Sequence, residues 1–320
     1  MSKLIRTSAL ALSLALGLAV ATACEPATTG QATNTVDVKC AGSTKAIPTD
    51  WYFPVGTPKA LVWLQHGFTE SKDDWVETGR KAADAGFVVM ATTLPSADLF
   101  GCTVQNIGNN TDFLNNVATM FSGMGTANTA ITKSYADAAS KAGRSGLAMP
   151  AKLEFSGHSA GGEAVLYVAN RLRTASPTTF AKLKGLVLQD SVKSFIGDNT
   201  DASLTGLATT TLPIYALASP KGSCNADQSG TQAVVSKLAG RAFHGTVITT
   251  GVHGDIFGTS ANGLGTATCG TPQPTNTAAV RTLTFGWVTD QAAGTTTAAF
   301  YPGGSTYDGL VAAGTISTLP

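Results

Sequence analysis

Charge is what this sequence has least of. Charged residues fill 13% of the 320 positions, against roughly a quarter in ordinary globular proteins, and Gly, Ala, Thr and Ser take their place. An uncharged polar surface of this kind suits an exported protein. The formal charge is +1; removing the first 23 residues takes away Lys3 and Arg6 and no acid, leaving 19 basic residues against 20 acidic ones. A mature chain so close to neutral gives no electrostatic reason to expect nucleic acid or an anionic membrane surface as a partner. Histidine is scarce too, with four in the chain, so each can be judged on its own. Internal repeats and a second domain boundary are both lacking, and 320 residues fit one large α/β domain.

The apolar run Ala9 to Val20 falls short of a transmembrane span. Preceded by Lys3 and Arg6 and followed by Ala21-Thr22-Ala23-Cys24, it has the three regions of a secretory signal. Small residues before Cys24 are also similar to a bacterial lipobox, in which that cysteine becomes the lipidated first residue and anchors the protein to a membrane. Ala21 stands where a bulkier aliphatic residue is usual there, so ordinary cleavage after Ala23 is the other reading. Five cysteines leave one over in an exported protein, and lipidation of Cys24 would leave an even four. Those four could form two disulfides in an oxidising compartment. Three pairings are available; Cys224 and Cys269 each follow a late predicted strand, which favours Cys224–Cys269 and Cys40–Cys102. Glu25 to Thr35, rich in Pro, Thr, Gly and Asn, reads as a flexible tether. The expected layout is a signal over 1–23, a tether over 24–35 and a single domain over 36–320.

Within that domain, 36–53 predicts one or two antiparallel edge strands. The continuous apolar run at 60–65 reads as a buried parallel strand, and 87–92, 183–189, 212–218 and 245–250 read as further strands. Ser71 caps a helix that Gly86 closes, 109–143 reads as two helical segments broken near Gly123 and Gly125, and 277–291 is a closing helix. Strands alternating with helices argue for a doubly wound, mostly parallel sheet with helices on both faces. The stretch 191–211 reads as a loop that could cap a cleft. Trp63 and Trp75 belong to the core, whereas Trp51, Tyr52 and Phe53, at a strand end, could touch substrate.

The centre of the sequence is Lys152-Leu153-Glu154-Phe155-Ser156-Gly157-His158-Ser159-Ala160-Gly161-Gly162. A strand-like run meets a serine flanked by glycines and continues as a helix. That is the G-x-S-x-G nucleophile elbow, which lifts a serine hydroxyl out of a sharp turn. In an open parallel sheet the reacting groups gather beyond the carboxyl ends of the strands, and an elbow serine is followed in the chain by its acid and its histidine. His66 and His158 precede Ser159; His66 shapes the loop after its strand and His158 packs beside the elbow. His244 lies at the leading end of the last parallel strand, away from the active edge. His253 lies just past that strand's exit. Among the acids, Asp190 falls at the exit of the strand after the elbow, and Asp227, in the loop after the next strand, is the alternative. Asp198 and Asp201 lie deeper in a loop, and Asp255 reads as local support for His253. Backbone N–H groups of Ala160 and Phe68 are the candidate oxyanion donors.

His66-Gly67-Phe68 after one strand, Gly157-His158-Ser159-Ala160-Gly161-Gly162 after a later one and His253 after the last together resemble the α/β-hydrolase superfamily, over about 59–291. The acid at Asp190, a cysteine in the following loop and the spacing of His253 and Asp255 are similar to chlorophyllase-like and polyester-hydrolase-like esterases. The resemblance implies an α/β-hydrolase fold and hydrolysis of small or polymeric carboxylic esters through an acyl-enzyme, with no metal or organic cofactor. A non-catalytic binding lipoprotein on the same fold, and an amidase or peptidase using the same triad, are the competing readings.

Overall fold

The computed structural model describes residues 28–105, 107 and 109–320. The signal segment and Cys24 lie outside the described residues. The strands are β1 Gly30–Cys40, β2 Ser43–Phe53, β3 Leu61–Gln65, β4 Val88–Thr92, β5 Leu153–His158, β6 Leu183–Gln189, β7 Ile214–Ala218, β8 Gly245–Ile248 and β9 Ile316–Thr318. They form one sheet in the order β1-β2-β4-β3-β5-β6-β7-β8-β9. β3 to β8 run parallel, and antiparallel strands close both edges.

The strand β3 carries the change of direction, because β4 lies on one side of it and β5 on the other. Chains leaving β3 and β5 therefore part in opposite directions and leave a crevice at their carboxyl ends. Gly67 and Phe68 follow β3, and Ser159 follows β5.

The helices are α1 Val76–Asp84, α2 Thr111–Ser122, α3 Ala130–Lys141, α4 Ala160–Ala175, α5 Pro177–Phe180, α6 Asn199–Ala208, α7 Ser229–Lys237, α8 Gly263–Cys269, α9 Pro274–Ala293 and α10 Ser305–Ala312. A capping box opens the turn before α1: Ser71 accepts from Asp73 N–H while Asp74 reaches back to Ser71 N–H, which satisfies donors that a helix start otherwise leaves unpaired. Alternate strand residues feed two cores. Trp63, Phe121 and Phe155 pack on one face of the sheet, and Trp75, Phe257 and Trp287 lie on the other.

Three expectations change. The tether over 24–35 ends early, because Gly30 to Thr35 already pair with β2. Ala32, Val36, Val38 and Cys40 point inward, and the polar residues between them are the solvent face of an edge strand, which by composition alone looks like linker. Trp51, Tyr52 and Phe53 are buried rather than facing a substrate; Trp51 donates to Ser134 Oγ and packs edge-on against Tyr135, both on α3. The stretch 191–211 contains α6 and is anchored, since the buried carboxylate of Glu163 accepts from Ser194 N–H, Ser194 Oγ and Thr200 Oγ1. Disulfides join Cys40 to Cys102 and Cys224 to Cys269, each with Cα atoms 5.8 Å apart.

Candidate active site

Between β5 and α4 the chain turns within one residue. Ser159 takes φ 53° and ψ −126°, a conformation that L-residues avoid unless the surroundings impose it. The turn is tight enough that a Cβ on Gly157 would collide with the Gly161 carbonyl, and one on Gly161 with the carbonyls of Gln65 and His66. Glycine at both positions is thus what lets α4 start this close to β3 and β5. Ser159 is 8% exposed, so its hydroxyl opens on the cleft rather than on bulk solvent.

At the exit of β6, Asp190 also has a positive φ, 44°. One carboxylate oxygen accepts from His253 Nδ1 at 2.6 Å and from Ser219 Oγ at 2.6 Å. The other accepts from Ser219 N–H at 2.9 Å and Asn225 Nδ2 at 3.1 Å. Burial pushes the Asp190 carboxyl up, but the bonds from His253 and Ser219 outweigh it and hold the acid below its usual range. An ionised Asp190 fixes the proton of His253 on Nδ1 and leaves Nε2 free to accept one. Among the described residues no hydrogen bond joins Ser159 Oγ directly to His253.

The loop after β3 lies against the elbow: a Cβ on Gly67 would sit 2.5 Å from Ser159 Cβ. Phe68 and Ala160 line the same cleft as Ser159, together with Val192 and Phe195, in a space of about 150 Å³. Ala160 opens α4, so its N–H has no partner within the helix and points out of a positive dipole end. His66 is buried, and burial pushes its imidazole below the ordinary value. Its Nδ1 lies 2.7 Å from the Gly67 carbonyl. A carbonyl only accepts, so Nδ1 carries the proton and pins the loop.

The remaining sequence candidates fall elsewhere. Asp227 is exposed, and its carbonyl accepts from Gln232. Asp198 is exposed, Asp201 pairs with Lys193, and His244 is buried with its ring on the Leu238 carbonyl. Asp255 accepts from the N–H groups of Val252 and Gln273 and so braces the His253 loop; burial raises its pKa to about 6. Ser219 and Asn225 were not expected. They occupy the loop that offered Asp227 as the alternative acid and serve the Asp190 carboxylate instead. Glu70 was missed as well: it bonds His158 and the Gly67 N–H. Among the described residues no three His, Cys, Asp or Glu side chains are grouped to hold a metal ion, and no helix is long and apolar enough to cross a membrane.

Solved structures with this arrangement of strands include a dienelactone hydrolase-like promiscuous phosphotriesterase from metagenomic libraries, at 14% identity over 82% of this chain and 99% of that one with a TM-score of 0.54. A fungal esterase from Rhizomucor miehei is similar at 15% identity over 83% of this chain and 84% of that one, with a TM-score of 0.52. Brefeldin A esterase, a bacterial homologue of human hormone-sensitive lipase, is similar at 11% identity over 88% and 81%, with a TM-score of 0.51. This chain has the α/β-hydrolase fold. No family model matches the sequence, and no curated protein matches it. In an α/β-hydrolase fold, Ser159, Asp190 and His253 stand in the chain order expected of nucleophile, acid and base.

Proposed function

We propose that the chain is an exported serine hydrolase that cleaves carboxylic esters with Ser159 as nucleophile, His253 as base and Asp190 as orienting acid. The observation that carries this reading is the 2.6 Å bond between His253 Nδ1 and the buried Asp190 carboxylate, on the sheet edge that also carries the strained Ser159. A non-catalytic binding protein has no use for a strained serine, an oriented imidazole and a helix-start N–H beside them together.

In the reaction, His253 Nε2 takes the Ser159 Oγ proton as the oxygen attacks the ester carbonyl. The N–H groups of Phe68 and Ala160 receive the negative oxygen of the tetrahedral intermediate, each worth about 2.7–4 kcal/mol there. Collapse breaks the C–O bond to the alcohol, which leaves with the proton held by His253. Water repeats the sequence on the acyl-enzyme, giving up its proton to His253 and releasing the carboxylic acid. Asp190 stays ionised throughout and stabilises the imidazolium.

Phe68, Val192 and Phe195 give the cleft apolar walls, which suits an apolar acyl group. Two disulfides support an oxidising, extracytoplasmic location, with Cys24 proposed as a lipid attachment point. A series of p-nitrophenyl esters of rising acyl length, with a polymeric ester alongside, tests the reading. Turnover that disappears in Ser159→Ala supports it, and turnover that survives the substitution refutes it.

A further inference from the structure

His158 is the last residue of β5 and is fully buried, yet both of its ring nitrogens meet acceptors. Nε2 lies 2.7 Å from the His253 carbonyl and Nδ1 lies 2.8 Å from Glu70 Oε2. A carbonyl oxygen only accepts, so Nε2 holds a proton. The contact with Glu70 needs a second proton. Glu70 Oε2 also accepts from Gly67 N–H at 2.7 Å, which favours a carboxylate over a carboxylic acid. His158 is therefore an imidazolium facing an anion. Its two contacts tie together segments 88 and 95 residues apart in sequence.

The joined segments are the ones the reaction uses. Gly67 precedes Phe68 in the oxyanion loop, His158 precedes Ser159, and the bonded carbonyl belongs to His253 itself. We propose that Glu70 and His158 are positioning residues: a buried ion pair that fastens the oxyanion loop, through Gly67 N–H, and the base loop, through the His253 carbonyl, to the strand end bearing Ser159. The proposal rests on the serine-hydrolase reading.

The groups facing the pair are His66 and Asp74 from the segment after β3, and Asp190 and His253 from the loops after β6 and β8. The His158 and His253 rings are 4.4 Å apart and Phe257 closes the apolar side. Burial disfavours charge on both partners. The pairing overcomes it, raising the His158 pKa and lowering that of Glu70. A raised histidine keeps its bond below the ordinary value and loses it as pH rises through the raised one. A depressed carboxylate keeps its bond above the ordinary value and loses it as pH falls through the depressed one. The pair is thus intact between the lowered Glu70 value and the raised His158 value. Loss of the second His158 proton is expected to appear as a falling alkaline limb in kcat.

The test compares the native protein with Glu70→Gln, which keeps the side chain's size and an acceptor for Gly67 N–H but no charge. Expected are a kcat lower by about 10²-fold, as for an ångström-scale misplacement of reacting groups, a KM changed by less than about twofold, and an alkaline limb moved to lower pH. Nitrogen-15 NMR of the native protein at neutral pH should find both His158 nitrogens protonated, and Glu70→Gln should shift the His253 Nδ1–H resonance. An unchanged kcat and pH profile in Glu70→Gln, or a singly protonated His158 in the native protein, overturns the proposal. Should Glu70→Gln fail to fold, the native alkaline limb and native spectrum decide. A native protein that cleaves no ester overturns the hydrolase reading, while the NMR of His158 and its effect on His253 still decide the ion pair.

Discussion

Asp190 has the most demanding position of any single residue in the site. Its backbone is in the left-handed region, and its buried carboxylate collects donors from His253, Ser219 and Asn225. Full pairing is what makes a buried anion tolerable. An amide at this position would replace one acceptor oxygen by a donor, set against either His253 Nδ1 and Ser219 Oγ or Ser219 N–H and Asn225 Nδ2. Asp190→Asn should therefore lower kcat by about 10⁴-fold, since the imidazole would lose its orienting anion and take the wrong tautomer. Asp227→Asn, on an exposed carboxyl away from His253, should leave kcat within a factor of about two. Steady-state kinetics on both variants decide, and the reverse pattern would hand the acid's role to Asp227. The depressed pKa of Asp190 adds a direction: its stabilising bond is present above the ordinary carboxylate value and is lost only as pH falls through the lower folded one.

Among the elements, the site is assembled from loops that follow different strands, and cross-links set their spacing. The 3-10 turn Ser223–Gln228 carries Asn225 beside Asp190, and its Cys224 is bonded to Cys269 at the end of α8, downstream of His253. The disulfide thus ties the loop that supports Asp190 to the segment that follows His253. On the opposite flank, Glu163 of α4 anchors Ser194 and Thr200, so Phe195 stands 82% exposed on a fixed stem. Replacing Cys224 and Cys269 by serine, with Cys40 and Cys102 left intact, should lower kcat by up to about 10²-fold through displaced loops, at temperatures where circular dichroism still reports folded protein. A kcat equal to that of the native protein would mean that the hydrogen bonds alone hold the two loops.

At the scale of the whole molecule, what could be read in the sequence was whatever leaves a local trace. Runs such as 60–64 and 87–91 are apolar without interruption because parallel strands are buried on both faces. The elbow shows because its glycines answer a steric demand within five residues. His253 could be singled out because so few histidines compete. The contacts that complete the site leave no such trace. Glu70 meets His158, and Asn225 meets Asp190, across long stretches of chain, so no periodicity announces them. Polar residues of the edge strand β1 resemble linker until β2 is seen beside them. Three residues of β9 complete the far edge from a tail too rich in glycine to show a pattern. Trp51 and its neighbours look available until α3 covers them.

Ser159 is proposed as an activated nucleophile, and labelling with a fluorophosphonate followed by peptide mapping puts that role to the test. One covalent adduct per folded chain, located on Ser159 and suppressed in His253→Ala, is the predicted result. A folded native chain that takes up no label, or takes it up on another residue, would contradict it.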